Sequence, residues 1–152
     1  MKRLAALAGV ATVLAVSLST AATAAPRTSV AFVVNNQFGG AQTIAVSSIP
    51  GCATGTVTDT SGPQAAFDGP IILFSGTKLF DCGASGTFTL AYRVHHLDCS
   101  PTDSGTWMIV AGTGVYAGTT GEGLVSGMYL PSACPASGII DSYSGTLRLG
   151  GS

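Results

Sequence analysis

At 152 residues, with a formal net charge of −1 and only 9% charged side chains, the chain is sized for one domain and offers no basic surface. Nucleic acid and anionic membranes are therefore poor partners for it. Its 46% hydrophobic content, spread along the chain, excludes an intrinsically disordered polymer.

The first element is a targeting pattern. Lys2 and Arg3 precede an apolar run from Leu4 to Leu18, and Ala22-Thr23-Ala24 follows. A positive start, a short apolar stretch and small residues before a cleavage point describe a secretory signal peptide. The run is shorter than the ~20 residues of a membrane span, and no later stretch supplies a transmembrane anchor. Residues 1–24 are expected to be removed after Ala24, leaving residues 25–152 as one secreted domain. In that domain Arg27, Lys78, Arg93 and Arg148 stand against six Asp and Glu122, so four cations meet seven acids and the net charge is about −3.

The rest of the chain is short β-branched and aromatic runs divided by Gly, Pro, Ser and Asp. This is the pattern of an all-β protein. Strands are predicted over 29–35, 43–48, 54–59, 70–80, 86–96, 105–112, 123–130 and 138–149. Turns are predicted at Asn35-Asn36, Ser61-Gly62-Pro63, Asp81-Cys82-Gly83, Ser100-Pro101-Thr102-Asp103, Thr119-Thr120-Gly121 and Pro131 to Pro135, with a frayed tail at Gly150-Gly151-Ser152. The fifth strand alternates best. Phe88, Leu90, Tyr92 and Val94 share one face; Thr87, Thr89, Ala91, Arg93 and His95 share the other. One buried and one wet face fit antiparallel pairing. Glycines inside strands, at 76, 123, 127 and 145, suggest bulges or bends where a sheet closes.

Four cysteines, Cys52, Cys82, Cys99 and Cys134, follow the leader. In an exported chain they read as two disulfides, and their wide spacing lacks the close pairs of a zinc site. A strand of ~33 Å separates Cys82 from Cys99, beyond the ~7 Å reach of a disulfide. If the strands run up and down, Cys52 and Cys82 fall at one end and Cys99 and Cys134 at the other. The expected pairs are Cys52–Cys82 and Cys99–Cys134.

The most distinctive string runs from Trp107 to Gly123, with Gly112-Thr113-Gly114, Tyr116, Gly118 and Gly121 inside it. It is not a dinucleotide loop, because the third glycine is displaced and no helix follows. It reads as a strand ending in a glycine-rich turn and returning as the next strand. The segment resembles the W-x-I/V-x-G-T-G-x-Y/F-x-G-x-x-G signature of allene oxide cyclase-like barrel proteins, including small secreted bacterial members, and more distantly the dirigent proteins. Asp141-Ser142-Tyr143-Ser144-Gly145-Thr146-Leu147 resembles the closing strand of that family. Residues 53–60 and 86–92 fit its earlier strands more loosely. The resemblance implies a single closed antiparallel barrel of about eight strands with an apolar lumen. Catalytic residues do not carry over, since the shared segment is a fold signature.

Chemistry-bearing residues are few. His95 and His96 point to opposite faces of a strand and cannot easily share an ion, even with Asp98 nearby, so no metal site is expected. No G-x-S-x-G elbow surrounds Ser85, Ser126 or Ser144. Glu122, the only glutamate, is a candidate acid or base if it faces a lumen, although such residues more often sit at a solvated rim. Tyr143 shares a face with Asp141 and is the second catalytic candidate. Phe88, Leu90, Tyr92 and Trp107 are candidate ligand contacts, with Trp107 most simply a core plug. No cofactor is implied.

Three functions fit this reading: a secreted carrier of a small apolar molecule, a cyclase or isomerase acting mainly by shaping its substrate, or an extracellular structural protein with a filled barrel. An interior volume of ~300 Å³ or more favours the first two.

Overall fold

The computed structural model describes residues 26–131 and 134–150. The expected signal peptide, residues 132 and 133 of the Pro131 to Pro135 turn, and Gly151-Ser152 lie outside the described residues.

Eight strands follow in chain order: β1 (Thr28–Gln37), β2 (Gln42–Ser47), β3 (Thr56–Asp68), β4 (Ile71–Asp81), β5 (Thr87–Leu97), β6 (Thr102–Gly112), β7 (Thr120–Leu130) and β8 (Gly138–Arg148). Each pairs antiparallel with the next. β8 returns to β1 in a continuous register from Thr28↔Leu147 to Gln37↔Gly138, so the strands form a closed ring. Among the described residues closure leaves no long free edge except where β3 outruns its neighbour β2. Among the described residues no helix is long and apolar enough to cross a membrane.

The up-and-down order puts the two disulfides at opposite ends. Cys52–Cys82 and Cys99–Cys134 are both formed, with Cα separations of 5.0 and 5.4 Å. These are the expected pairs, and the strand parity that predicts them is the observed one.

Several expected turns are strand instead. Asn35-Asn36 lies inside β1, paired to both β2 and β8, and Thr120-Gly121 opens β7 against β8, because the ladders run further than turn-type composition suggests. Ser61-Gly62-Pro63 lies inside β3, where the register against β4 slips between Asp59 and Ser61 and again before Gln64. The prolyl residue is tolerated because β2 pairs with β3 only at Thr56 and Val57, so this stretch faces no second strand. Side chains replace the interrupted ladder: the Thr77 amide donates to Ser61 Oγ at 2.9 Å, and the Thr60 and Thr77 hydroxyls meet at 2.8 Å. Likewise Thr102 and Asp103 open β6 rather than forming a turn, because Asp103 is held between His96 of β5 and Gly127 of β7.

Strand alternation sorts the side chains. On β5, Phe88, Leu90 and Val94 are buried and Tyr92 is half-buried, while Arg93 and His95 are exposed. One half of the interior is packed solid with aromatic rings. Phe32 stacks on Tyr143 at 4.5 Å and meets Phe80 and Trp107 edge-on at 5.6 and 5.7 Å. Phe80 stacks on Phe88 at 4.7 Å, and Phe88 meets Tyr116 at 5.2 Å. Burying one such ring stabilises the fold by about 1.5–3 kcal/mol. Tyr116 leaves the glycine-rich turn, whose short 3₁₀ stretch is Gly114–Tyr116, to donate its hydroxyl to the Pro50 carbonyl at 2.8 Å. That contact ties the turn to the Cys52 loop and plugs this end.

Candidate functional site

Above the aromatic plug the interior is not filled. A cavity of about 560 Å³ opens at the opposite end of the ring, near the Phe38-Gly39-Gly40 turn between β1 and β2. Phe74, Val94 and Ile139 supply apolar wall, and Asp59, Lys78, Tyr92, Asp103, Tyr129, Asp141 and Tyr143 bring polar groups to it.

Each polar group arrives by strand parity. On β4, Lys78 shares the inward face with Phe80, and it is only 4% exposed. Its ammonium donates to Asp59 Oδ1 of β3 at 2.9 Å and to Gln42 Oε1 of β2 at 2.8 Å, while Gln42 Nε2 donates to Asp59 Oδ2 at 2.5 Å. This triangle bridges the thin β2–β3 seam and satisfies the buried cation. Lys78 also lies 5.6 Å from the centre of the Tyr92 ring.

On the other side of the ring, Asp103 of β6 and Asp141 of β8 both pair with Gly127 of β7, so the two carboxylates flank a residue without a side chain. Tyr129 donates its hydroxyl to Asp103 Oδ2 at 3.2 Å. The His96 ring, buried beside Asp103 on β5, lies 4.7 Å from that of Tyr129.

Burial governs the proton affinities. Desolvation raises the Asp141 carboxyl from 3.8 to about 6; Lys78 pulls it down, Asp103 and Asp59 push it up, and a hydrogen bond from Tyr143 lowers it. Burial also raises Asp103, opposed by hydrogen bonds from Tyr129 and the Gly127 amide and by His96. Tyr92 is pushed up to about 12 by burial and then by Asp59, and Tyr129 and Tyr143 are raised by burial first. Around neutral pH the tyrosines are therefore hydrogen-bond donors, and Asp141 is a group able to take up or release a proton.

The structure distributes the sequence candidates unevenly. Tyr143 and Tyr92 line the cavity. Phe88, Leu90 and Trp107 are buried in the packed half and do not line it. Glu122 points outward; its side chain is 67% exposed and lies 3.7 Å from Arg27, away from the cavity. Among the described residues one group of three metal-type ligands comes together, Asp98, Cys99 and Cys134, and both its sulfurs are spent in a disulfide. Sequence reasoning missed Lys78, Asp59, Asp103 and Tyr129. The available signal was a charge on the apolar parity of a strand: Lys78 two residues from Phe80, Asp59 two from Val57, and Asp103 four from Trp107.

No family model, curated protein or solved structure matches this chain.

Proposed function

We propose that this protein is a secreted β-barrel of the allene oxide cyclase-like kind that binds a small, mainly apolar molecule in the open half of its interior. One observation carries the reading: the cavity of about 560 Å³ combines apolar walls with a few convergent polar groups. That is the usual make-up of a small-molecule site. Two disulfides suit an oxidising, extracellular setting, as does the leader pattern of residues 1–24. The aromatic plug closes one end, so a ligand enters past Phe38 and leaves the same way. A filled structural barrel is the poorer reading, because it would have no use for this volume.

A cyclase or isomerase is the second reading, favoured by Asp141. Its carboxyl, raised to about 6 and adjoining Tyr143, has the proton affinity of a general acid or base at neutral pH. The cavity would supply the substrate's shape and these two groups the proton transfer.

Native mass spectrometry of the exported protein, with titration of a small fluorescent apolar dye, tests the binding reading. The expected result is a co-purified compound or dye binding that Ile139→Trp abolishes by filling the cavity. Dye binding unchanged in folded Ile139→Trp, with no co-purified compound, would overturn it.

A further inference from the structure

Resting on the binding reading above, we propose that the ligand enters and leaves the cavity sideways, through a notch in the wall between β2 and β3, and that Gln42 is the latch that sets the rate of this exchange. The notch follows from the strand pairing. β2 meets β3 only at Thr43↔Thr56 and Gln42↔Val57, so β3 runs on from Thr58 to Asp68 with no partner on that side. The other ladders reach the rim around the cavity. β8 meets β1 up to Gln37↔Gly138, β7 meets β8 up to Leu130↔Gly138, β5 meets β6 up to His96↔Asp103, and β3 meets β4 up to Asp68↔Ile71.

The cavity lies against this gap. Gly40 and Gln42 line it from one bank, Asp59 and Pro63 from the other. The glycines show how open the banks are: a methyl group added at Gly39 or Gly62 would meet nothing within 4 Å, and one at Gly40 would touch only Gln37 of its own turn. The first bank is anchored. Gln42 pairs with Asn36 of β1, and the Phe38 amide donates to the Ser137 carbonyl at 3.0 Å on the far side. The second bank is the bulged part of β3, exposed from Thr60 to Pro70 and held to β4 through the Thr60 and Ser61 contacts with Thr77. An exposed segment with few buried contacts and one paired edge is the kind that opens locally at low cost.

Gln42 joins the banks. Among the described residues, the hydrogen bonds from β2 to the wall beyond Val57 are those of its side chain: Oε1 accepts from Lys78 Nζ at 2.8 Å, and Nε2 donates to Asp59 Oδ2 at 2.5 Å. Lys78 and Asp59 belong to β4 and β3 and keep their own 2.9 Å ion pair without it. Breaking the two Gln42 bonds therefore frees β2 from β3 at this level and leaves the buried cation paired. A latch of this kind bears equally on the loaded and the empty protein. Releasing it multiplies the entry and exit rates by the same factor and leaves the affinity unchanged, since an equilibrium shifts only through differential interaction with its two states.

The test is stopped-flow fluorescence with N-phenyl-1-naphthylamine, a small neutral apolar dye, on the folded, disulfide-intact protein. Gln42→Ala is expected to raise the association and dissociation rate constants together, by about fivefold or more, with Kd changed by less than about twofold. Pro63→Trp, which fills the notch from the exposed edge of β3, should lower both rate constants by a similar factor. It leaves the Gln42, Asp59 and Lys78 side chains in place, so the test stands even if Gln42→Ala does not fold. A dissociation rate that rises alone in Gln42→Ala would make Gln42 an ordinary ligand contact and overturn the proposal. Unaltered rates in both folded variants would put the route at the end of the ring, overturning the proposal while leaving the binding reading intact. A dye that does not bind, to a protein that also carries no co-purified compound, would overturn the proposal and the binding reading together.

Discussion

Lys78 Nζ lies 2.9 Å from Asp59 Oδ1 inside the closed ring, with Gln42 as the second acceptor at 2.8 Å. The lysine side chain is 5% exposed and the aspartate 30%, so the ammonium is desolvated and depends on these two partners. Removing one member of a buried pair leaves the other charge uncompensated, at a cost of about 3–5 kcal/mol. Partial exposure of Asp59 reduces that to roughly 2–4 kcal/mol for Lys78→Met. The double variant Lys78→Met with Asp59→Leu should recover most of the loss in urea denaturation. A double variant as unstable as the single one would show that the ion pair is not the source of the effect.

Asp141 makes stability depend on pH in the direction opposite to a salt-bridged carboxylate. Its folded value of about 6 lies above the ordinary 3.8, so the folded state holds the proton more tightly than the unfolded chain. Its contribution is then most favourable below about pH 4 and is lost as pH rises through 6. A rise of this size corresponds to roughly 3 kcal/mol at full effect. Asp141→Asn removes the penalty. It should raise Tm clearly at pH 8 and make little difference at pH 4, as calorimetry at the two pH values would show. An equal Tm change at both would separate the effect from ionisation.

Trp107 illustrates why the glycine-rich signature is structural. Its indole N–H reaches the Leu124 and Ser144 carbonyls at 3.1 and 3.2 Å, lying across β7 and β8 where Gly123 and Gly145 carry no side chain. A methyl group on Gly145 would come within 2.8 Å of Trp107 Cζ2 and still closer to the Glu122 carbonyl. Gly145→Ala should therefore cost about 1–3 kcal/mol as an overpacked core change and shift tryptophan emission to the red. Unchanged emission and stability would mean that the ring does not rest on these glycines.

The sequence made the ring and its staples readable because both follow from local rules. Two-residue alternation on β5 marks the inward face, and counting strands between cysteines pairs them. The site was harder to see. Asp59, Lys78, Asp103 and Asp141 are separated by 19, 25 and 38 residues, and only ring closure brings them to one cavity. Glu122 attracted notice as the single glutamate, but which face it takes depends on the register of β7 against β6, where it pairs with outward Met108. Ser61-Gly62-Pro63 read as a turn because its composition is that of a turn. It is a bulged strand because β2 is too short to need its second edge.

Tyr143 and Glu122, the two residues the sequence offered for catalysis, should behave oppositely when altered. Tyr143 stacks on Phe32 with planes 2° apart, so Tyr143→Phe keeps the packing and loses only the hydroxyl. The hydroxyl holds the Asp141 proton affinity down, so its removal should move the Asp141 titration to higher pH in carboxyl-carbon NMR. Glu122→Gln breaks only a 3.7 Å contact with Arg27 between groups each more than 60% exposed. Such surface pairs contribute less than about 1 kcal/mol. The Glu122 variant should leave stability, ligand affinity and the Asp141 titration unchanged. If it instead weakened ligand binding as much as Tyr143→Phe, the site would have to lie at the outer face of β7 rather than inside the ring.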